Sequence, residues 1–297
     1  MLKKKSSRIA VIVIVLFVAI FSYVPWYFSS LVFYPPVNCT KDHHVFCTNP
    51  SELGLEYQDI NFTTSDDVKL KGWYVPAKDS DKGILFVHGH GGAKTEGLRF
   101  AKALHTAGYN LFFIDLRRNH GRFASMGYYE PRDAKAAIDF LLNEKKLRTV
   151  GIFGFSMGAA TSIITMADDQ RIKAGLFSSG YSSALDVLSE AAKRDYGIPH
   201  FPLIPLVKLY INLRGNMDIE SVRPVDKIGS ISPRPIAIFH CDKDNYVDSS
   251  HAGKLFMKAN EPKEKWIPVC NKHERIWNFY PEEADKRAVQ FFQRNLK

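Results

Sequence analysis

Residues 154–158 read GFSMG, and this stretch decides the fold and the chemistry predicted for the chain. The run TVGIF at residues 149–153 is typical of a buried strand, and AATSII at residues 159–164 is typical of the start of a helix. Glycine on both sides of Ser156 permits a sharp turn between them, because no Cβ blocks the strained backbone or the approach of neighbouring elements. The turn would present the Ser156 hydroxyl beside the first N–H groups of the helix. Because so short a pattern also occurs by chance, its partners elsewhere in the chain decide whether Ser156 is a nucleophile.

Composition limits the classes of protein to which the chain can belong. Hydrophobic residues make up 45% and charged residues 24% of 297 residues, which is ordinary for a folded protein. A single α/β domain of about 240 residues fits within this length. The formal net charge is +9, but four positive charges lie in the first eight residues, at Lys3, Lys4, Lys5 and Arg8. The other basic residues are spread among acids without a nucleic-acid-binding motif, so we expect no nucleic-acid partner.

A membrane anchor is predicted at the N-terminus, over residues 1–34. Residues 9–33 carry no charge, and about 20 apolar residues are enough to cross a bilayer as a helix. The preceding lysines favour a cytoplasmic N-terminus, a single pass and an extracytoplasmic remainder. Amphipathic aromatic residues that favour the membrane interface follow at Tyr23, Trp26, Tyr27 and Tyr34. A cleaved signal peptide is the alternative, although its apolar core is normally about 7–15 residues.

The four cysteines suit an oxidising compartment outside the cytoplasm. Cys39 and Cys47 lie in a predicted stalk, residues 35–54, where a local bridge is plausible. Cys241 and Cys270 lie near two candidate catalytic residues, and a second bridge there is an alternative to free thiols. Four cysteines permit three pairings, and sequence does not choose among them or exclude four free thiols.

Residues 55–297 alternate between strand-like and helix-like segments. Residues 55–62 and 68–75 predict an antiparallel hairpin. Strands are then predicted at residues 83–87, 110–114, 149–153, 174–177, 236–239 and 265–269, and helices at residues 94–107, 131–145, 157–167, 249–259 and 281–293. This alternation predicts a mainly parallel sheet flanked by helices, with reactive groups beyond the carboxyl ends of the strands.

Residues 181–232 interrupt this alternation. They contain two or more helix-like stretches and an apolar piece, IPHFPLIPL, at residues 198–206. A loop of this length without structure of its own would be unusual, so the segment predicts a helical cap over the active edge of the sheet. Its apolar residues either line an acyl pocket or pack the cap onto the body.

A glycine-rich loop, HGHGG at residues 88–92, follows the predicted strand at residues 83–87. Glycines let the backbone approach a ligand and direct N–H groups at it. A tetrahedral intermediate needs two such donors on its oxyanion, and we assign them to the N–H groups of His90 and Met157. His88 is expected to have a structural role. A phosphate-binding loop is the other interpretation, but the spacing fits neither nucleotide fingerprint.

The base and the acid are expected downstream of the nucleophile. His273 follows the last predicted strand by a few residues, which returns its ring to the edge where Ser156 lies, and histidine suits proton transfer at neutral pH. The third member orients the histidine, and Asp242 and Asp244 both follow the strand at residues 236–239. Asp244 is preferred because Asp242 would lie closer to the strand end. The order Ser…Asp…His is that of α/β-hydrolases.

Taken together, these motifs resemble the α/β-hydrolases, in the branch of the serine aminopeptidase-like and Bem46-like proteins. The resemblance covers roughly residues 55–297 and rests on residues 88–92, on DLR at residues 115–117, on residues 154–158, and on Asp244 and His273. It implies an α/β-hydrolase fold with a cap at about residues 181–232 and no metal or organic cofactor. The sequence departs from the family pattern at residues 115–122, which hold one residue more, and at Cys241, where a small glycine is usual.

The function predicted from these motifs is a membrane-anchored serine hydrolase that cleaves carboxylic esters or thioesters through an acyl-enzyme. A small-molecule or lipid-like acyl substrate is expected. A serine peptidase with the same triad is the alternative, and a non-catalytic binding module on a hydrolase scaffold is the third. The sequence leaves the oligomeric state open.

Overall fold

The computed structural model describes residues 2–37, 48–197, 199 and 201–297. Its eight strands form one sheet in the order β1-β2-β4-β3-β5-β6-β7-β8. The pairs β1–β2 and β2–β4 are antiparallel, and every other pair is parallel. The strands are β1 Gln58–Thr63, β2 Lys69–Val75, β3 Lys82–Val87, β4 Asn110–Ile114, β5 Thr149–Phe155, β6 Ile172–Ser178, β7 Ile236–Phe239 and β8 Lys263–Trp266.

Helices cover both faces of this sheet. Side chains alternate along each strand, so in β3 Leu85 and Val87 join one apolar cluster, whereas Ile84 and Phe86 join the other. Helices α3 and α4 contribute to the first cluster, and α2 and α10 contribute to the second. The helices are α1 Leu2–Phe33, α2 Leu98–Thr106, α3 Glu130–Asp139, α4 Met157–Asp168, α5 Ala184–Tyr196, α6 Leu203–Gly215, α7 Pro224–Lys227, α8 Ser250–Lys258, α9 Ile276–Phe279 and α10 Pro281–Asn295.

The predicted mainly parallel sheet with flanking helices is confirmed, and so are the N-terminal hairpin and the strands at residues 110–114 and 236–239. The strand predicted at residues 265–269 is wrong in position, since β8 is Lys263–Trp266. Proline has no N–H to donate to a sheet ladder. Pro262 immediately precedes β8 and Pro268 follows it, so neither can donate to the ladder with β7, although their carbonyls accept the N–H groups of Ile236 and Asp242.

Helices α5 and α6 lie between β6 and β7, within the segment predicted as a cap. Ser183 caps the start of α5 by accepting the N–H of Asp186, and Gly197 ends that helix in the left-handed conformation, at φ 64°. Helix α6 packs against the C-terminal half of α1. There Arg214 donates to the carbonyl of Trp26 and to the hydroxyls of two α1 serines, Ser29 and Ser30.

The N-terminal predictions are only partly covered by the structure. Within its described part, no helix combines the length and the apolar character that crossing a membrane requires. The side chains of residues 2–10, 13–18 and 20 lie outside that part, and the anchor at residues 1–34 stays a prediction. Cys39 and Cys47, with the bridge predicted between them, also lie outside the described residues. The boundaries of the stalk and the hydrolase domain stay predictions as well.

Candidate active site

Ser156 lies at the turn between β5 and α4, and steric constraints explain the glycines on either side of it. Its backbone is strained, with φ 51° and ψ −116°. A Cβ on Gly154 would lie 2.3 Å from the carbonyl oxygen of Gly158, and a Cβ on Gly158 would lie 2.0 Å from that of Val87. No side chain fits at either position. The turn therefore packs directly against the end of β3 and holds the Ser156 hydroxyl at the carboxyl edge of the sheet.

The structure brings Ser156, His273 and Asp244 into one chain of hydrogen bonds. The Nε2 atom of His273 lies 2.9 Å from the Oγ of Ser156, and its Nδ1 lies 2.8 Å from an Asp244 carboxylate oxygen. With the Nδ1 proton donated to the carboxylate, Nε2 is free to accept the Ser156 proton. Ser156 is 6% exposed, and the His273 side chain is 21% exposed, so substrate can reach both groups.

The charges of this chain suit a base held beside a carboxylate. Burial alone would raise the pKa of Asp244, but its hydrogen bond from His273 and the N–H of Tyr246 hold that pKa below its ordinary value. Burial likewise opposes the positive charge of His273, but the hydrogen bond and charge of Asp244 outweigh it and raise the pKa of the imidazole above its ordinary value. The acid is therefore ionised at neutral pH, where it favours the protonated form of His273.

A disulfide joins the loop that carries the acid to the loop that carries the base. Cys241 pairs with Cys270, and their Cα atoms are 4.9 Å apart. Asp242 accepts the N–H of Cys270 at 2.9 Å, and Asn245 accepts the N–H of His273 at 2.9 Å. Of the two candidate acids, Asp244 contacts the imidazole, whereas Asp242 fastens the two loops together.

The loop at residues 88–92 lies directly against the nucleophile. A Cβ on Gly89 would be 3.2 Å from the Cβ of Ser156, and Glu96 accepts the Gly89 N–H at 2.8 Å. His90 follows in this loop. Met157 is the first residue of α4, and the N–H of a first helical residue has no acceptor within its own helix. The two predicted oxyanion donors thus belong to segments that meet at Ser156.

His88 takes part in backbone hydrogen bonds and does not reach the nucleophile's hydrogen-bond chain. Its Nε2 accepts the N–H of Leu116 at 2.9 Å, and its Nδ1 lies 2.8 Å from the carbonyl oxygen of Gly89, to which it donates. This arrangement ties the end of β4 to the loop after β3. It agrees with the structural role expected for His88.

A buried carboxylate, Glu274, lies beside the base and was not among the site residues predicted from the sequence. Its Oε1 lies 3.8 Å from the Nε2 of His273, and its Oε2 lies 3.5 Å from the buried guanidinium of Arg99. Burial is the largest cause that raises the pKa of Glu274 to about 7, and the negative charge of Glu96 is the next largest. The one sequence signal was its position immediately after His273, which does not distinguish a buried carboxylate from an exposed one.

The C-terminal end of α1 also belongs to this region, which no sequence pattern indicated. The Nε2 atom of His90 lies 2.7 Å from the carbonyl oxygen of Val32. Arg118 donates to the carbonyl of Pro35 at 2.9 Å. A Cβ on Gly91 would be 3.0 Å from the carbonyl oxygen of Pro36. Residues 32–36 therefore cover the glycine-rich loop and hold the side chain of His90.

A cavity of about 540 Å³ opens onto Ser156 and His273. Its walls come from the end of α1, from α5 and α6, and from the loop at residues 88–92. This volume lies within the range of about 300–1,000 Å³ typical of small-molecule sites. Among the described residues, no group of His, Cys, Asp or Glu side chains is arranged to hold a metal ion.

Comparisons with known proteins support the fold and the general class. No protein-family model matches the chain. It is 27% identical over 233 residues to the uncharacterized protein YqkD of Bacillus subtilis, covering 76% of each chain. It is 25% identical over 252 residues to the alpha/beta hydrolase domain-containing protein WAV2 of Arabidopsis thaliana, covering 78% of this chain and 76% of WAV2. The Pyrococcus furiosus esterase Pf2001 superposes with a TM-score of 0.68 at 26% identity, over 85% of this chain and 98% of the esterase.

The chain therefore has the α/β-hydrolase fold, as predicted, and these similarities support an esterase-like hydrolase of that fold.

Proposed function

We propose that the chain is a serine hydrolase that cleaves carboxylic ester or thioester bonds through an acyl-enzyme. The observation that carries this proposal is the hydrogen-bond chain from Asp244 through His273 to Ser156, placed at a strained turn beside a solvent-accessible cavity. We keep the serine aminopeptidase-like and Bem46-like branch as a prediction.

In the first half of the reaction, the Ser156 oxygen attacks the carbonyl carbon of the substrate while its proton passes to His273 Nε2. The N–H groups of His90 and Met157 stabilise the negative charge that develops on the carbonyl oxygen. The bond to the leaving alcohol or thiol then breaks, and His273 delivers the proton to that leaving group. Asp244 holds the imidazole and stabilises its positive form throughout.

In the second half, water attacks the acyl-enzyme with His273 again taking the proton. The bond between the Ser156 oxygen and the acyl carbon breaks, the proton returns to Ser156, and the carboxylic acid leaves. His273 thus takes up one proton and releases one proton in each half of the reaction. No group outside the protein, the substrate and water is needed.

Two measurements test this function on the full-length protein in detergent. A fluorophosphonate probe should label the wild type and leave Ser156→Ala unlabelled, and p-nitrophenyl acetate hydrolysis should fall by at least about 10³-fold in that variant. Ser182→Ala is a matched control, because Ser182 is a buried serine that contacts His251 instead of His273. Equal labelling of wild type and Ser156→Ala would overturn the nucleophile assignment.

The same preparation separates the alternative functions. Cleavage of aminoacyl anilides without cleavage of esters would favour the peptidase. Absence of both probe labelling and hydrolysis would favour a non-catalytic binding module.

We further propose that the N-terminal helix anchors the enzyme in a membrane with its catalytic domain outside the cytoplasm. The uncharged residues 9–33 after three lysines support this orientation, and the Cys241–Cys270 disulfide suits an oxidising compartment. Intact mass of the membrane fraction tests retention of the helix. A mature chain that begins after Ser29 or Ser30 and is found in the medium would instead support secretion after signal cleavage.

A further inference from the structure

The cavity beside Ser156 is lined along its length by one face from each of two helices. Along α1 and α6 the lining residues recur at intervals of three and four, which places them on the same side of each helix. They are Phe28, Leu31 and Val32 of α1, and Ile204, Val207 and Ile211 of α6. Helix α5 closes the third side, where Leu188 faces the same space.

This space is a cleft that opens to solvent, and most of its wall is apolar. Packed helices normally leave few voids larger than a water molecule between them. Apolar faces that border about 540 Å³ without filling it are therefore suited to an apolar occupant. On the walls formed by α5 and α6, the charged residues Asp195 and Lys208 are paired with Arg194 and Glu220, so these walls leave little unmatched charge for a polar ligand. Three further charged residues border the cavity on the side of the catalytic residues: Glu96, Glu274 and Arg275.

We propose that this space is an acyl-binding site and that the substrates are esters carrying one long fatty acyl chain. The inference rests on the proposed function, since it places the ester carbonyl at Ser156 and the acyl tail between α1, α5 and α6. The end of α1 then has two roles besides anchoring. It forms a wall of the acyl site, and it holds the glycine-rich loop through the hydrogen bond between the Val32 carbonyl oxygen and the His90 ring.

The outer surface of the cap is consistent with a substrate taken from a bilayer. Leu213 lies on the face of α6 opposite the cavity and is 72% exposed, and Phe201, just before that helix, is 77% exposed. Both lie on elements next to α1, where Trp26 is also exposed. Exposed apolar side chains beside a proposed anchor favour contact with lipid.

The test compares substitutions on opposite faces of the same helices. Val207→Trp and Leu31→Trp put a large ring into the cavity from α6 and from α1. Leu209→Trp and Tyr27→Trp are the matched controls, since neither residue lines the cavity and both are substantially exposed, at 48% and 40%. The measured quantity is the ratio of kcat/KM for p-nitrophenyl laurate to that for p-nitrophenyl acetate, in the full-length protein in mixed micelles.

The wild type should prefer laurate, and each cavity variant should lower the laurate-to-acetate ratio by at least about ten-fold, while the controls stay within about two-fold of the wild type. Thermal melts identify any variant that fails to fold, and the second cavity variant, on the other helix, then decides. A ratio unchanged in folded cavity variants, or a wild type that prefers acetate, would overturn the acyl site.

A binding measurement separates this inference from the proposed function. The fluorescent fatty acid cis-parinaric acid should bind Ser156→Ala, and adding Val207→Trp should weaken that binding by at least about ten-fold. Binding with this pattern in a protein that hydrolyses no ester would support the acyl site and refute the proposed function. Ester hydrolysis that depends on Ser156, without fatty-acid binding, would support the function and refute the acyl site.

Discussion

The disulfide between Cys241 and Cys270 should matter for both stability and catalysis, because it joins the two loops that hold the acid and the base. Asp244 and His273 each follow a bridged cysteine by three residues. The perturbation is the double substitution Cys241→Ala/Cys270→Ala. Both cysteines are buried, so alanine avoids leaving an unpaired polar hydroxyl in their place.

The size of the stability effect follows from the loop that the bridge closes. With a sequence separation of 29, the chain-entropy relation gives a loss of about 3–4 kcal/mol in the free energy of unfolding. The value of kcat/KM should fall, but by less than it would if a catalytic side chain were removed. The contacts of Asp242 with Cys270 and of Asn245 with His273 still join the loops, and a misplacement of about 1 Å costs on the order of 10²-fold.

The assay combines urea unfolding, followed by tryptophan fluorescence, with kcat/KM for p-nitrophenyl acetate in the same detergent. Reductant added to the wild type should reproduce the double variant. Reductant added to the double variant isolates any contribution of Cys39 and Cys47. A double variant with the unfolding midpoint and the kcat/KM of the wild type would refute the idea that this bridge positions the acid and base loops.

Three further substitutions test buried charges, two of them beside His273 and one in the segment after β4. Asp244→Asn should lower kcat/KM by about 10³–10⁴-fold. It should also move the acid limb of the pH profile to lower pH, because activity needs neutral His273 and the Asp244 carboxylate raises the pKa of that imidazole. An acid limb that stays in place would contradict this. Glu274→Gln should also move the acid limb to lower pH in a kcat/KM–pH profile, since the Glu274 charge contributes to the raised pKa of His273, and a shift to higher pH would be inconsistent with that contribution. Arg117→Met should lower the free energy of unfolding by about 3–5 kcal/mol, measured by urea unfolding, because it leaves Asp133 buried without its charged partner. The double variant Arg117→Met/Asp133→Leu should recover part of this loss. Equal losses in the two variants would exclude the unpaired carboxylate as the cause.

The elements and the order of the motifs could be predicted from local sequence. Short apolar runs separated by amphipathic stretches specify a parallel sheet with crossover helices. Because the carboxyl ends of parallel strands meet at one edge, that pattern also indicated where Ser156, Asp244 and His273 should meet. The displacement of β8 shows the limit, since Pro268 has no N–H to donate to the sheet ladder within a run that otherwise resembles a strand.

Contacts between distant segments could not be predicted in the same way. Most of residues 28–36 are apolar, so periodicity does not reveal which face meets a cavity. It also does not reveal the hydrogen bond between the Val32 carbonyl oxygen and the ring of His90, 58 residues away. Glu274 is polar and follows a histidine, a local context that fits an exposed loop equally well. Its burial against Arg99, 175 residues earlier in the chain, is a property of packing alone.

The sequence by itself determined the α/β architecture, the sharp turn at Ser156 and the chain order of the three candidate catalytic residues, because glycine spacing and hydrophobic periodicity act through neighbouring residues. The tertiary structure alone decided that Cys241 pairs with Cys270 and that the end of α1 forms a wall of the cavity, and it places Asp244, the acid preferred from the sequence, in contact with His273. Those choices depend on where separate elements come together, and no local pattern records the distance between them.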